Sequence, residues 1–225
     1  MQAAIFDMDG TLLDSMGMWS SLDRTMLLRH GIEPPADISD RVRCMTIQQA
    51  AAYYAATFLP QMTAEEIRGE VLKIAAEGYR ESLQLKPGAA DFLRALHGRK
   101  IPFCLVTATE RPLAEAALGR LGVLPLFQFL LTPEDGFPGK HDPAVFAEAA
   151  RRLGTSPQET AVFEDALYAA QTAKTAGFYT VGFYDADSRG DWIALESLCD
   201  RMAGNWFSLQ TPEFLGRFKA KAAAV

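Results

Sequence analysis

Short apolar runs recur along this chain and alternate with longer segments that carry helical periodicity. Nearly continuous apolar runs are typical of parallel β-strands whose two faces are both covered by helices. The runs predict strands at residues 3–6, 101–106, 127–131, 160–163 and 179–184, with a short edge strand at 206–209. Because strands and helices alternate from residue 88 onward, we predict an α/β fold built on a doubly wound, mostly parallel sheet.

The segments between the predicted strands carry residues typical of helix ends. A Thr or Asp followed by Pro favours a helix start, and a Gly favours a helix end. These signals and the apolar spacing predict helices at 89–97, 112–121, 142–153, 166–176 and 191–202, and a last helix that starts at Thr211.

Residues 16–85 differ from the rest because no strand pattern interrupts their helical periodicity. Three helices are predicted there, at 16–30, 46–58 and 63–83, and the third opens with a capping-box sequence at Thr63. We therefore predict two domains. They are an α/β core of residues 1–15 and 86–225 and an inserted all-helical cap of residues 16–85.

The composition is that of a soluble globular protein, with 49% hydrophobic and 22% charged residues in a chain of 225. No uninterrupted apolar run reaches about 18 residues, and the N-terminus lacks a signal-peptide pattern, so we expect no membrane span. The net charge of −6 disfavours nucleic acids and anionic membranes as partners. The cysteines, Cys44, Cys104 and Cys199, lack paired spacing, which favours a reducing cytoplasm over a disulfide framework or a zinc site. Cys104 lies inside an apolar run, so we predict that it is a core residue.

The stretch DMDGTLLDS, residues 7–15, follows the first predicted strand directly. Asp7 and Asp9 carry carboxylates that cannot both enter a core unpaired. Gly10 permits a sharp turn, and the Thr11 hydroxyl can hydrogen-bond back to it. Because open α/β sheets bind ligands at the carboxyl ends of their strands, we expect chemistry here and not a plain surface turn.

Further polar residues follow other predicted strands, at the same edge of the sheet. Thr107 ends the second strand, Lys140 lies shortly after the third, and Glu164 and Asp165 end the fourth. Each one alone has an ordinary interpretation, as a strand-end hydroxyl, a solvated lysine or a helix cap. Together with the two aspartates of the first motif they gather four carboxylates, whose repulsion requires a cation and a lysine nearby.

These motifs, in this order, resemble motifs I to IV of the haloacid dehalogenase superfamily, most of whose members are phosphatases with an aspartate nucleophile. The resemblance implies that Asp7 attacks phosphorus and that Asp9 acts as general acid and base. It also implies that Thr107 and Lys140 hold the transferring phosphoryl group.

The resemblance further implies a Mg²⁺ site and a backbone cradle for the phosphate. Hard oxygen ligands favour Mg²⁺ over Zn²⁺. The predicted ligands are the carboxylate of Asp7, the backbone carbonyl of Asp9, and the carboxylates of Glu164 and Asp165. The backbone N–H groups of Gly10 and Ala108 are predicted to contact the substrate.

The predicted helical insert is similar to the C1 cap of the subfamily that contains β-phosphoglucomutase and phosphoglycolate phosphatase. Phosphate and metal are common to all phosphate esters, so we expect the cap to select the leaving group. Within it, Trp19 and Arg43 are the residues predicted to take part in substrate binding.

Some positions depart from the pattern of the family. Thr107-Ala108 stands where many relatives have Ser-Asn, and Ala166 stands where many have Ser. A histidine and an arginine of the mutase cap fall on Trp19 and Ile47, which weighs against mutase activity.

We therefore expect Mg²⁺-dependent hydrolysis of a small phosphorylated metabolite, such as a sugar phosphate, through an aspartyl phosphate. Two alternatives remain open: phosphoryl transfer of the β-phosphoglucomutase type, and a regulatory protein that binds phosphate without turnover. We expect a cytoplasmic monomer without nucleic-acid or membrane partners.

Overall fold

The described strands all lie in one parallel sheet, and their order places the first strand near its centre. The computed structural model describes residues 1–42, 45 and 47–220. The strands are β1 (Ala3–Phe6), β2 (Phe103–Val106), β3 (Leu130–Leu131), β4 (Thr160–Glu164), β5 (Tyr179–Phe183) and β6 (Arg201–Ala203). Their order across the sheet is β3-β2-β1-β4-β5-β6, with every neighbouring pair parallel. The predicted α/β fold with a doubly wound sheet is confirmed.

Helices fill the connections between the strands. Those assigned within the described residues are α1 (Met16–Arg29), α2 (Ile38–Val42), α3 (Ile47–Thr57), α4 (Ala64–Glu77), α5 (Ala89–Gly98), α6 (Arg111–Arg120), α7 (Ala144–Leu153), α8 (Leu167–Thr175), α9 (Trp192–Leu198) and α10 (Pro212–Leu215). The sequence did not predict α2, because five residues are too few to display a helical period. None of these helices is both long and apolar enough to span a lipid bilayer.

The chain divides into two compact units. One comprises Met1–Asp14 and Leu83–Val225 and contains the sheet, and the other is the continuous helical segment Ser15–Ser82. Within the helical unit, α4 packs against both α1 and α3. The N-terminus of α4 has the predicted capping box, in which the side chains of Thr63 and Glu66 each accept the other's backbone N–H. A π-helical turn, Gly78–Ser82, follows α4.

The two faces of the sheet are covered by different kinds of side chain. Successive residues of a strand point to opposite faces, so Ile5 and Phe6 enter different layers. Ile5 belongs to a mainly aliphatic cluster with residues of α7 and α8. Phe6 stacks on Phe163 with ring centroids 4.6 Å apart and also contacts the ring of Trp206. Both layers exclude water, which is why β1 and β4 read as continuous apolar runs.

The C-terminal edge of the sheet differs from the prediction. Residues 206–209 form a 3₁₀-helix and not a strand. The edge strand is β6, and its first two residues belong to the segment 191–202 that was predicted as helix. Trp206 is completely buried, and its ring centroid lies 4.2 Å from that of Phe183. Because this indole packs on the face of the sheet, residues 206–209 do not pair as a strand at its edge.

One smaller prediction also changes. The strand predicted at 127–131 is limited to β3, because Phe127 turns its ring onto Phe103 in the aromatic layer. Cys104 is buried in β2 as predicted. Cys44 and the predicted helix cap at Thr46 lie outside the described residues.

We expect Phe6→Ala to lower the free energy of unfolding by about 3–5 kcal/mol, because it opens a cavity in the aromatic layer. Equilibrium unfolding in urea measures this change. The matched control is Phe207→Ala, since Phe207 is 57% exposed; it should cost less than about 1 kcal/mol. Equal losses in the two variants would contradict this account of the core.

Candidate active site

The strand order creates a crevice where the chain changes direction across the sheet. β2 and β3 lie on one side of β1, and β4, β5 and β6 lie on the other. The chain crosses from one side to the other between β3 and β4. Doubly wound sheets with this order bind ligands at that point, beyond the carboxyl ends of the strands. The Asp7 N–H donates to the carbonyl of Phe163 at 3.0 Å, and the Thr107 N–H to that of Leu131 at 3.0 Å. Sheet hydrogen bonding therefore carries both motifs directly to this edge.

The turn after Asp7 is built on Gly10, whose φ of +81° is in the left-handed region that favours glycine. The Leu13 N–H donates to the carbonyl of Met8, and the Gly10 N–H donates to that of Leu13. These bonds close a tight loop that presents the backbone of the first motif towards the crevice.

The sequence assigned the wrong partner to Thr11. Its hydroxyl donates to Asp165 Oδ1 at 3.1 Å and not back to the turn at Gly10. The carbonyl of Thr11 accepts the indole N–H of Trp206 at 3.1 Å, and this bond is buried. Thr11 thus links the first motif to the fourth, and a residue near the C-terminus holds Thr11 in place.

Three buried carboxylates and one ammonium meet at the ends of β1 and β4. Oxygen atoms of Asp7, Glu164 and Asp165 lie within 4.8 Å of one another. The Lys140 ammonium donates to Asp7 Oδ1, and it donates to Glu164 Oε1 at 2.7 Å. The second oxygen of Glu164 accepts the Asp165 N–H at 3.1 Å. The fold thus gathers these four predicted site residues in one space.

Burial and an excess of negative charge together shift the pKa values in this cluster. Burial and the Asp7 carboxylate raise the pKa of Glu164 to about 8, against the opposing effect of Lys140. Burial, Asp7 and Glu164 raise the pKa of Asp165 well above its usual value. Burial alone would lower the pKa of Lys140, but the Asp7 and Glu164 carboxylates outweigh it and raise that pKa.

A divalent cation fits this arrangement on two grounds. Asp7 Oδ2 is buried and accepts no hydrogen bond from the described residues, so an acceptor is left over where the carboxylates converge. The donors are carboxylate oxygens, which are hard ligands that suit cations such as Mg²⁺ and not thiolate-seeking metals. A bound dication would also balance the charge that one lysine leaves uncompensated.

Asp9 is tied to the segment that follows β2. The Thr109 hydroxyl donates to Asp9 Oδ2 at 2.6 Å, and the Thr109 N–H donates to Thr107 Oγ1 at 3.1 Å. The sequence analysis did not single out Thr109, because a threonine two residues after a strand end carries no distinctive signal. Its contacts join the first motif to the second.

A pocket of about 210 Å³ lies beside the cluster, over the ends of β2 and β3. Thr107, Ala108 and Lys140 line it, together with the loop 133–139. Arg111 fixes that loop, since its guanidinium donates to Asp135 at 2.7 Å and its backbone N–H donates to Glu134 at 3.0 Å. The predicted phosphoryl-holding residues therefore share one pocket wall.

Two predicted substrate-binding residues belong to the helical unit. The Trp19 indole donates to the Tyr79 hydroxyl at 3.1 Å, and the two rings meet edge to face. Arg43 lies outside the described residues. The roles predicted for both residues remain predictions.

Comparison with known proteins identifies the group to which these motifs point. The model of the haloacid dehalogenase-like hydrolases matches residues 1–177. The validoxylamine A 7'-phosphate phosphatase of Streptomyces hygroscopicus subsp. limoneus is 32% identical over 83% of this chain and 89% of its own. A probable pseudouridine-5'-phosphatase of Drosophila melanogaster is 30% identical over 79% of each chain. A putative β-phosphoglucomutase of Thermotoga maritima has a similar fold, with a TM-score of 0.77, 24% identity and coverage of 90% of this chain and 94% of its own.

The raised pKa of Glu164 predicts a pH dependence of stability in metal-free protein. The pKa of an unfolded glutamate is 4.5, whereas the pKa of Glu164 in the folded chain is about 8. Between these values the folded state binds more protons, so the free energy of unfolding falls as the pH rises. Glu164→Gln has no carboxyl group to titrate in this range, so its free energy of unfolding lacks this fall. We expect the variant to gain stability relative to wild type across this window, measured by urea unfolding in EDTA.

The matched control for this measurement is Glu148→Gln. Arg151 and Arg152 lower the pKa of Glu148 to about 2, so it is ionised in both states over the upper part of the window, above roughly pH 6. Its stability difference from wild type should stay constant there. A constant difference for Glu164→Gln as well would mean that Glu164 does not carry the excess charge.

Proposed function

Because the chain belongs to the haloacid dehalogenase-like hydrolase family, we propose that it is a phosphatase that hydrolyses a small phosphorylated metabolite, such as a sugar phosphate. The observation that carries the proposal is the buried cluster of Asp7, Lys140, Glu164 and Asp165 beside the pocket at Thr107. Two of the relatives named above are described as a validoxylamine A 7'-phosphate phosphatase and a probable pseudouridine-5'-phosphatase, and these names support the same class of substrate.

The cofactor in this proposal is Mg²⁺, held by the carboxylates of Asp7 and Asp165 and the backbone carbonyl of Asp9. Glu164 adds charge to the same site, and its oxygens accept N–H groups of Lys140 and Asp165. Bound Mg²⁺ supplies positive charge that allows a phosphate dianion to approach a carboxylate nucleophile.

In the first step a carboxylate oxygen of Asp7 attacks phosphorus, and the ester P–O bond breaks. The Lys140 ammonium and the Thr107 hydroxyl hold the phosphoryl oxygens, aided by the backbone N–H group of Ala108. The Gly10 N–H, which the sequence predicted for the same role, donates to the Leu13 carbonyl instead. Asp9 donates a proton to the departing oxygen, so the leaving group departs as an alcohol.

In the second step water attacks phosphorus of the aspartyl phosphate. Asp9, now ionised, takes a proton from that water, and the bond between Asp7 and phosphorus breaks. The products are inorganic phosphate and the original Asp7 carboxylate, while Asp9 is again protonated for the next turnover.

These core groups recognise phosphate, which every phosphate ester carries. We therefore propose that selectivity comes from the helical unit Ser15–Ser82. The predicted contributions of Trp19 and Arg43 belong to this proposal, as do a monomeric state and a cytoplasmic location.

We expect purified protein to release inorganic phosphate from some members of a panel of sugar phosphates and related phosphomonoesters in the presence of Mg²⁺. Excess EDTA should abolish release, and added Mg²⁺ should restore it. The matched control is Asp7→Asn, which keeps the shape of the side chain but lacks the nucleophile. Full turnover in EDTA would refute the metal-dependent mechanism, and recovery of an isomeric sugar phosphate without free phosphate would favour phosphoryl transfer.

Substitutions of the two aspartates of the first motif should affect the reaction differently. Asp7→Asn should form no phosphoenzyme, whereas Asp9→Asn should still form it, with turnover slower by about 100- to 10,000-fold because acid–base help is lost. Acid quenching followed by peptide mass spectrometry locates the phosphate. Its appearance on any residue other than Asp7 would show that the nucleophile is wrongly assigned.

A further inference from the structure

Thr109 contacts two groups that act at different places in the proposed reaction. Its hydroxyl donates to Asp9 Oδ2 at 2.6 Å, and its backbone N–H donates to Thr107 Oγ1 at 3.1 Å. The side chain is 9% exposed and lies between β2 and α6. One residue therefore bridges the proposed acid and the hydroxyl that holds the phosphoryl group.

These contacts restrict how Asp9 can turn. The Asp9 residue is only partly buried, and an aspartate carboxylate rotates readily unless a donor fixes it. Thr109 is anchored through its own backbone, so its hydroxyl is a fixed donor.

Orientation of this kind matters for proton transfer. A general acid must reach the leaving oxygen at about 2.6–3.2 Å in a suitable pose. The link through Thr109 sets Asp9 relative to Thr107, and Thr107 is where the phosphoryl group is held. The acid is thus placed with respect to the bond that breaks.

We propose that Thr109 is a positioning residue that orients the carboxylate of Asp9 for proton transfer to the leaving group. The proposal rests on the proposed function, since it assigns Thr109 the orientation of a proton donor. It goes beyond that function because Thr109 itself neither binds phosphate nor exchanges a proton with substrate.

The leaving group provides a readout that a merely structural role would not move. Phenyl phosphate and p-nitrophenyl phosphate have the same ring, but phenolate is a much poorer leaving group than p-nitrophenolate. Loss of acid help therefore slows phenyl phosphate more. The ratio kcat/KM reports the step in which Asp7 is phosphorylated and the phenol departs, so it is the quantity to compare.

The experiment measures kcat/KM with both esters for wild type, Thr109→Val, Thr109→Ser and Asp9→Asn in Mg²⁺. Thr109→Val keeps the shape and removes the donor, and we expect it to lose about tenfold more activity on phenyl phosphate than on p-nitrophenyl phosphate, which is part of the about 100- to 10,000-fold typical of acid–base catalysis. Thr109→Ser keeps the hydroxyl and should restore a ratio close to that of wild type. Asp9→Asn should lose still more activity on phenyl phosphate relative to p-nitrophenyl phosphate.

The matched control is Thr160→Val, because Thr160 is a buried threonine at the start of β4 whose hydroxyl donates to the Ser156 carbonyl at 2.8 Å. It should leave the ratio between the two esters unchanged. Thermal unfolding of each variant checks the fold, and Thr109→Ala repeats the test if the valine variant is unstable.

A ratio in Thr109→Val equal to that of wild type, while Asp9→Asn discriminates between the esters, would overturn the role of Thr109 and leave the proposed function intact. A ratio unchanged in Asp9→Asn as well would overturn the acid role of Asp9, and the inference about Thr109 with it.

Discussion

Repulsion among three buried carboxylates is the constraint on which the rest of this molecule depends. The carboxylates of Asp7, Glu164 and Asp165 lie close together, and the Lys140 ammonium neutralises only part of their negative charge. Removing such groups from water is costly unless they are paired and hydrogen-bonded. The site is tolerated because a rigid parallel sheet carries β1 and β4 side by side to this point, over an aromatic layer centred on Phe6.

The polar contacts around the cluster extend well beyond the residues that perform chemistry. Thr11 donates to Asp165, Trp206 donates to the carbonyl of Thr11, and Thr109 donates to Asp9. Each contact supplies a donor to a group of the candidate site. The family model matches residues 1–177, yet Trp206 lies beyond them and still supports the first motif. Catalytic geometry in this chain is therefore a property of the whole core and not of the motifs alone.

The fold class and the positions of the main site residues could be predicted from the sequence because their signals are local. Ala3–Phe6 is an apolar run that ends in Asp7, and similar runs end at Thr107 and Glu164, so a rule about strand ends brings distant residues together. The capping box at Thr63 is likewise a short-range pattern.

The predictions that failed depend on tertiary packing. Residues 206–209 have the composition of a strand, but burial of Trp206 on the face of the sheet turns them into a 3₁₀-helix. The hydroxyl of Thr11 was expected to bond locally, whereas it reaches Asp165 across the crevice. Thr109 has no sequence signature, because what distinguishes it is a partner one hundred residues earlier, Asp9.

The placement of the helical unit between β1 and β2 has a consequence for synthesis on the ribosome. Residues Ser15–Ser82 form a continuous unit, so its contacts can form while later residues are still being translated. The sheet around β1 cannot be completed until β4 has been made, because Ala3 of β1 pairs with Thr160 of β4. Asp7, the proposed nucleophile, is thus made among the first residues, but the proposed metal site lacks two of its three clustered carboxylates until Glu164 and Asp165 have emerged. Under the proposed mechanism, activity therefore waits for the last of these carboxylates, even where residues 15–82 have already folded.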